Sequence, residues 1–300
     1  MSIEKSLKEH AQKIGMDLCG IAPISRFEGA PEGSNPSDFL PGCKSVVVVG
    51  VRLLDGAVQS VMRNFEDGNK RAQGIYGTYG YIIAPNFHLL YSVYDVARYI
   101  ERETGSVATP TQVGPFATGI SISQRHAAVA AGLGEFGWLS IVLTPQFGPR
   151  NRFGAVLTTA ELEPDPMYSG PRLCDPTKCN ICTTVCPTEA LSKFGEKEAR
   201  RVTYKDGRGE KAYDYCHVNI TRCRIATEAL MKKTGANQDL VSSIDASLQE
   251  VNYAAAGKRL GPLDTSSWNC GKCLTYCPVG NWKERFKDRG FSHRLPVLEK

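Results

Sequence analysis

Residues 174–187 read CDPTKCNICTTVCP, and residues 270–278 read CGKCLTYCP. Both carry the spacing C-x2-C-x3-C-P: Cys179, Cys182, Cys186 and Pro187 in the first, Cys270, Cys273, Cys277 and Pro278 in the second. A single Cys-x-x-Cys would serve a zinc ion or a redox couple. Structural zinc on four thiolates needs two such pairs, but neither the further cysteine nor the proline. A cubane [4Fe–4S] cluster needs four thiolates. Three come from one tight turn whose amides point at the sulfides, and in two-cluster proteins the cysteine before the proline reaches the neighbouring cluster. The proline turns the chain away and removes an amide that would lack an acceptor there.

The spacing therefore predicts two [4Fe–4S] clusters. One uses Cys174, Cys179, Cys182 and Cys277; the other uses Cys186, Cys216, Cys270 and Cys273. Cys223 competes with Cys216 as the remote ligand of the second set, and spacing does not choose between them. Nine of the eleven cysteines lie from Cys174 onward, an asymmetry that points to metal in one half of the chain. Cys19 and Cys43, each beside a glycine, read as small core residues.

The chain has 300 residues, 42% hydrophobic and 22% charged, which suits a globular protein of two domains. No apolar run is long enough to span a membrane. The opening MSIEKSLKEHAQKIG mixes charges and lacks an apolar signal core, so the expected location is cytoplasmic with no membrane partner. A net charge of +5 is modest, and the basic residues between Lys193 and Lys233 are interleaved with acidic ones. That stretch reads as a solvated connection or a docking face for an acidic electron carrier. The mixed signs disfavour nucleic acid as a partner.

Before the cysteine runs the pattern is α+β. Residues 3–14 have helical spacing behind Ser2, 18–24 read as a strand, and SVVVVGVRL at 45–53 as a buried strand. Residues 87–105 and 123–134 read as helices, and 138–144 and 152–162 as adjacent strands. Residues 74–86 alternate glycine with tyrosine. The proline-rich EPDPMYSGP at 163–171 marks a boundary, giving units 1–165 and 166–300. The second unit carries both cysteine runs and, between them, a mostly polar insertion with one helix near 221–233. No dinucleotide fingerprint, Walker sequence or Ser-His-Asp arrangement is present. His126 and His217 read as helix-surface or loop residues.

RHAAVAAGLGEFGWLSIVLTPQFGPRNRFGAVLTTAEL (125–162), followed by CNICTTVCPTEAL (179–191), resembles the core shared by cobalamin-dependent reductive dehalogenases and epoxyqueuosine reductases. The resemblance implies a nitroreductase-like α+β domain holding a corrinoid, followed by a bacterial-ferredoxin-like two-cluster domain. It implies a cytoplasmic oxidoreductase that passes single electrons through the clusters to the corrinoid, which reduces a small organic substrate. A low-potential donor such as ferredoxin or flavodoxin would supply the electrons. Thr118, Arg125, Gly132 and Gly134 are the residues it places at the cofactor; the two glycines fit a helix C-cap equally well. Arg150 and Arg152 suit a developing anion or a corrin side chain, or solvent at a strand end.

Two departures from the family pattern bear on the proton donor. The position of the catalytic Asp of epoxyqueuosine reductases falls on Thr118. Dehalogenases use a tyrosine in a similar region, and none lies between Gly105 and Tyr168. Tyr76, Tyr79 and Tyr81 are the replacements within reach, with Tyr81 and Arg152 the catalytic candidates. Two alternatives stand beside the reductase reading: an electron-transfer module without substrate chemistry of its own, its first unit binding a partner or a flavin, and an epoxyqueuosine reductase-like tRNA-modifying enzyme.

Overall fold

The computed structural model describes residues 2–60, 75–81, 83–111, 113, 122–206, 209–227 and 270–280. Its centre is β2 (Ser45–Arg52), which runs antiparallel to β1 (Leu18–Pro23) on one side and to β6 (Asn151–Thr158) on the other. β3 (Ala108–Pro110) pairs with the far edge of β6, giving the order β1-β2-β6-β3. Val47 lies opposite both Ile21 and Val156. Side chains alternate across a strand. Val46 and Val48 therefore face one core and Val47 and Val49 the other. Both faces are covered, so the strand reads as a continuous apolar run.

The Val47–Val49 face is covered by α1 (Ile3–Lys13) and α3 (Ile83–Thr104). Ser2 caps α1 by accepting from the Lys5 amide, while Leu7 and Ala11 are buried beneath it. Helix α3 buries Leu89, Val93, Val96 and Ile100 and starts four residues earlier than expected. Pro85 lies in its first turn, where its missing amide removes no helical bond. On the other face lies α4 (Gln124–Ala130), capped by Ser123. Ala127 to Ala131 are all buried, so the helix sits close on the sheet. Residues 25–43, expected as a loop, hold a 3-10 turn at Ile24–Phe27 and the short helix α2 (Pro36–Phe39).

Two expectations about strands are corrected. Residues 138–144 are not a strand beside 152–162. Instead β4 (Glu135–Phe136) folds back on β5 (Val142–Leu143) through a tight turn in which Ser140 takes φ 62. The polar stretch before Cys216 is a hairpin of β7 (Arg200–Asp206) and β8 (Gly209–Tyr215). Tyr204 and Tyr215 from it join the core of Val46 and Val48, as does Met167. The expected division at 165/166 thus has core residues of one cluster on both sides. Beyond the hairpin, α6 covers Ile220–Thr227; residues 228–233 of the expected helix lie outside the described residues.

Arg150, 1% exposed, joins the sheet to the second cysteine run. Its guanidinium donates to the carbonyls of Leu274 at 3.3 Å, Cys277 at 2.8 Å and Val279. Arg150 is therefore neither solvent-facing nor held for a corrin side chain. Among the described residues, no helix is long and apolar enough to cross a membrane. Arg150→Met strips donors from buried carbonyls and should cost about 2–4 kcal/mol, read as a lower midpoint of urea unfolding.

Candidate functional site

The two cysteine runs adopt the same local structure. α5 (Ile181–Thr184) and α7 (Lys272–Thr275) are single turns that follow Asn180 and Gly271, at φ −120, ψ 14 and φ −120, ψ 19. They end at Val185 and Tyr276, at φ −82, ψ −9 and φ −86, ψ −5. The sequence repeat is thus a backbone repeat, and the two turns pack on each other.

Cys277 crosses between the runs: it lies within electrostatic reach of Cys174 and Cys179, and Cys182 feels Cys277, Cys174 and Cys179. Cys186 crosses the other way, to Cys270 and Cys273. The further thiol that both Cys270 and Cys273 face is Cys223. Cys216, fully buried, lies instead by Cys186 and Cys182. Burial pushes the thiols of Cys216 and Cys270 up to about 12, with Cys186 adding to both. Burial pushes Cys277 up to about 11, although Arg150 pulls the other way. Such sulfurs become thiolates when bound metal supplies positive charge. Among the described residues, no group of three or more His, Cys, Asp or Glu side chains is gathered as one metal ion would hold it.

The β4–β5 turn supports the first run. The Trp138 amide donates to Cys174 Sγ at 3.3 Å, and its carbonyl accepts from the Cys216 amide at 2.9 Å. Its indole donates to the Ser192 carbonyl at 2.9 Å. Glu135 accepts from the amides of Leu173 at 2.6 Å and Cys174 at 3.2 Å. The Ala190 amide donates to Cys186 Sγ at 3.2 Å. Amides aimed at cysteine sulfur favour the charged form and suit a thiolate bound to metal.

The second run is met by tyrosine. Tyr76–Tyr81 form a single π turn. Tyr76, 1% exposed, stacks on Tyr81 with centroids 5.6 Å apart, and Arg152 lies 4.1 Å over the Tyr81 ring. The Tyr76 hydroxyl abuts Gly271, where a Cβ would collide with it. Burial pushes this phenol well above its ordinary range. The structure brings the expected candidates Tyr81 and Arg152 together, with Tyr76 between Tyr81 and the turn of Cys270 and Cys273. Sequence reasoning left Tyr76 among three alternatives; the paired small residues Gly80 and Gly271 were the available signal. Tyr79 is exposed.

Of the residues expected at the corrinoid, Arg125, Gly132 and Gly134 make contacts within the chain. Thr118 lies outside the described residues. Gly132, at φ 77, ends α4 and abuts the Pro166 carbonyl, while Gly134 abuts the Leu143 carbonyl. Both glycines are accounted for by contacts within the chain. Arg125 donates to Ser140, at 2.8 Å to Oγ and also to its carbonyl, and so steadies the left-handed Ser140. His126 is not on a helix surface. Its Nδ1 lies 2.7 Å from Ser123 Oγ, its Nε2 3.4 Å from the Tyr215 hydroxyl, and its ring packs on Phe136.

No family model matches the sequence. A tetrachloroethene reductive dehalogenase of Desulfitobacterium hafniense is 39% identical over 110 residues, covering 35% of this chain and 19% of that protein. An epoxyqueuosine reductase of Staphylococcus aureus is 26% identical over 270 residues, covering 79% of this chain and 66% of that protein. The chain is related to both enzyme groups. The match spans just under two thirds of the epoxyqueuosine reductase and about a fifth of the dehalogenase. Among solved structures, an epoxyqueuosine reductase with a tRNA-Tyr epoxyqueuosine-modified tRNA stem loop has the same mixed α/β fold, with a TM-score of 0.58. It is 15% identical, and the match covers 93% of this chain and 65% of that one.

Burial lowers the His126 imidazole from 6.5 to about 4, with Arg125 acting the same way. The folded state then binds this proton less readily than the unfolded chain. Its stabilising share is present above about pH 6.5 and is lost as pH falls towards about 4. Unfolding free energy should drop by about 1 kcal/mol between pH 7.5 and 5.5, a loss that His126→Gln abolishes in urea titrations at the two pH values.

Proposed function

We propose that this chain is an iron–sulfur oxidoreductase that passes single electrons through two [4Fe–4S] clusters to reduce a small organic substrate. The observation that carries the reading is the crossed arrangement of thiols, with Cys277 among the first run and Cys186 among the second. Cys174, Cys179, Cys182 and Cys277 hold one cluster. The other is held by Cys186, Cys270, Cys273 and, in place of the expected Cys216, Cys223, because that is the thiol Cys270 and Cys273 face. Clusters of this kind exchange one electron at a time at low potential, which suits a donor such as a ferredoxin or flavodoxin.

On the substrate side, Tyr81 is the proton donor and Arg152 the group that steadies the phenolate left behind. The guanidinium lies 4.1 Å over the ring, and its buried Nε has no partner among the described residues. A cation on the face of a phenol stabilises the anion formed when the proton leaves.

The resemblance also implies a corrinoid, which would supply a strongly nucleophilic reduced metal. Arg125, Gly132 and Gly134, the residues the resemblance places at it, each also make contacts within the chain.

A tRNA substrate is the second reading. It is favoured by the length of the match to an epoxyqueuosine reductase and by the fold shared with one that holds a tRNA stem loop. The expectation that nucleic acid is no partner is therefore not retained.

Protein purified without oxygen should carry about eight iron atoms per chain. Cys223→Ala should lose about half of them and Cys216→Ala none, by iron analysis and EPR; zinc in place of iron overturns the reading. Cobalt content after growth with cobalamin tests the corrinoid separately. Tyr81→Phe should lower turnover at least about 100-fold with cluster spectra unchanged. Conversion of an epoxyqueuosine-bearing tRNA stem loop, with halogenated organic compounds left untouched, selects the second reading.

A further inference from the structure

The Tyr76 hydroxyl is the buried polar group that this site leaves without an explanation. The residue is 1% exposed, and its oxygen has no hydrogen-bond partner among the described residues. A buried hydroxyl left unpaired costs about 1–3 kcal/mol. The fold nevertheless makes room for it. The slot lies between Gly80, where a Cβ would come within 2.7 Å of the Tyr76 ring, and Gly271, where a Cβ would strike the hydroxyl itself. Gly271 stands between Cys270 and Cys273, and both sulfurs lie within electrostatic reach of the phenol. The ring is fixed from behind by its stack on Tyr81, which carries Arg152. The hydroxyl is thus aimed into the cysteine turn by packing on both sides.

We propose that Tyr76 is a positioning residue that donates its hydroxyl hydrogen to a sulfur of the cluster held by the Cys270–Cys273 turn, and so raises that cluster's reduction potential. The inference rests on the reading that this turn holds a cluster. Reduction adds negative charge to the sulfurs, and a donor aimed at them stabilises the reduced form more than the oxidised one. Among the described thiols, Cys270 and Cys273 are the ones within electrostatic reach of Tyr76, so its effect falls on one cluster. The hydroxyl raises the potential of the cluster on the tyrosine side, which favours electron flow towards it.

The test is an EPR-monitored redox titration of full-length protein purified without oxygen. Tyr76→Phe, which keeps the ring and its stack, should shift one midpoint potential to a more negative value and leave the other in place. Replacing Tyr76 with 3-fluorotyrosine strengthens the donor and should move the same midpoint the opposite way. Two unmoved midpoints, or two that move alike, overturn the inference while the cluster reading survives. If Tyr76→Phe loses iron, the fluorotyrosine protein decides alone. Wild-type protein without iron overturns the cluster reading and this inference with it.

Discussion

The buried guanidinium of Arg150 is the interaction on which the arrangement depends. It stands at the end of the loop that leads into β6, the strand beside β2, and its donors are spent on carbonyls of the second cysteine run. A charge so placed is tolerable only because those carbonyls converge on it. This clamp brings a segment remote in sequence against the sheet. Cys277 then reaches the first run, and Gly271 meets Tyr76. Trp138 performs the matching task for the first run, binding Cys174 and Cys216 through its backbone and Ser192 through its indole. Arg150 beside β6 and Trp138 in the β4–β5 turn thus tie both cysteine runs to the α+β part, and with them the distance from any metal there to the tyrosines.

Much of this was legible in the residues. The valine run of β2, the capped helix behind Ser2 and the alanine-rich α4 follow local rules, because each is specified by its own periodicity and caps. The nearness of Cys277 to the first run and of Cys186 to the second agrees with the spacing, since the cysteine-proline ending has a geometric cause. Other features were not legible. Residues 138–144 are apolar enough for a strand, but Ser140 takes a left-handed turn that Arg125 holds in place from another element. The hairpin at 200–215 hid behind its charges. Its alternation is real, yet only Tyr204 and Tyr215 are buried deeply, and the outward side chains dominate the composition.

The candidate site divides in the same way. Thiols announce themselves by spacing, whereas Tyr76, Tyr81 and Arg152 come from distant stretches, and no local pattern links a tyrosine-glycine segment to the start of β6. Gly132 and Gly134 had two readings, a cofactor and a helix C-cap. Their small size invited a cofactor, but the neighbouring carbonyls of Pro166 and Leu143 already require it. Spacing did not choose between Cys216 and Cys223 because both flank the same short connection; the tertiary fold sets Cys223 near Cys270 and Cys273 and Cys216 near Cys186.

The exchange of cysteines between the two turns has a bearing on how the protein matures. Each group of thiols borrows one member from the other run, so neither group is whole while only the first run has emerged from the ribosome. On the proposed cluster reading, iron delivered early would find an incomplete cage and open coordination sites. On that reading, loading belongs after synthesis of the second run and its docking on Arg150, so that metal insertion would seal a fold already closed.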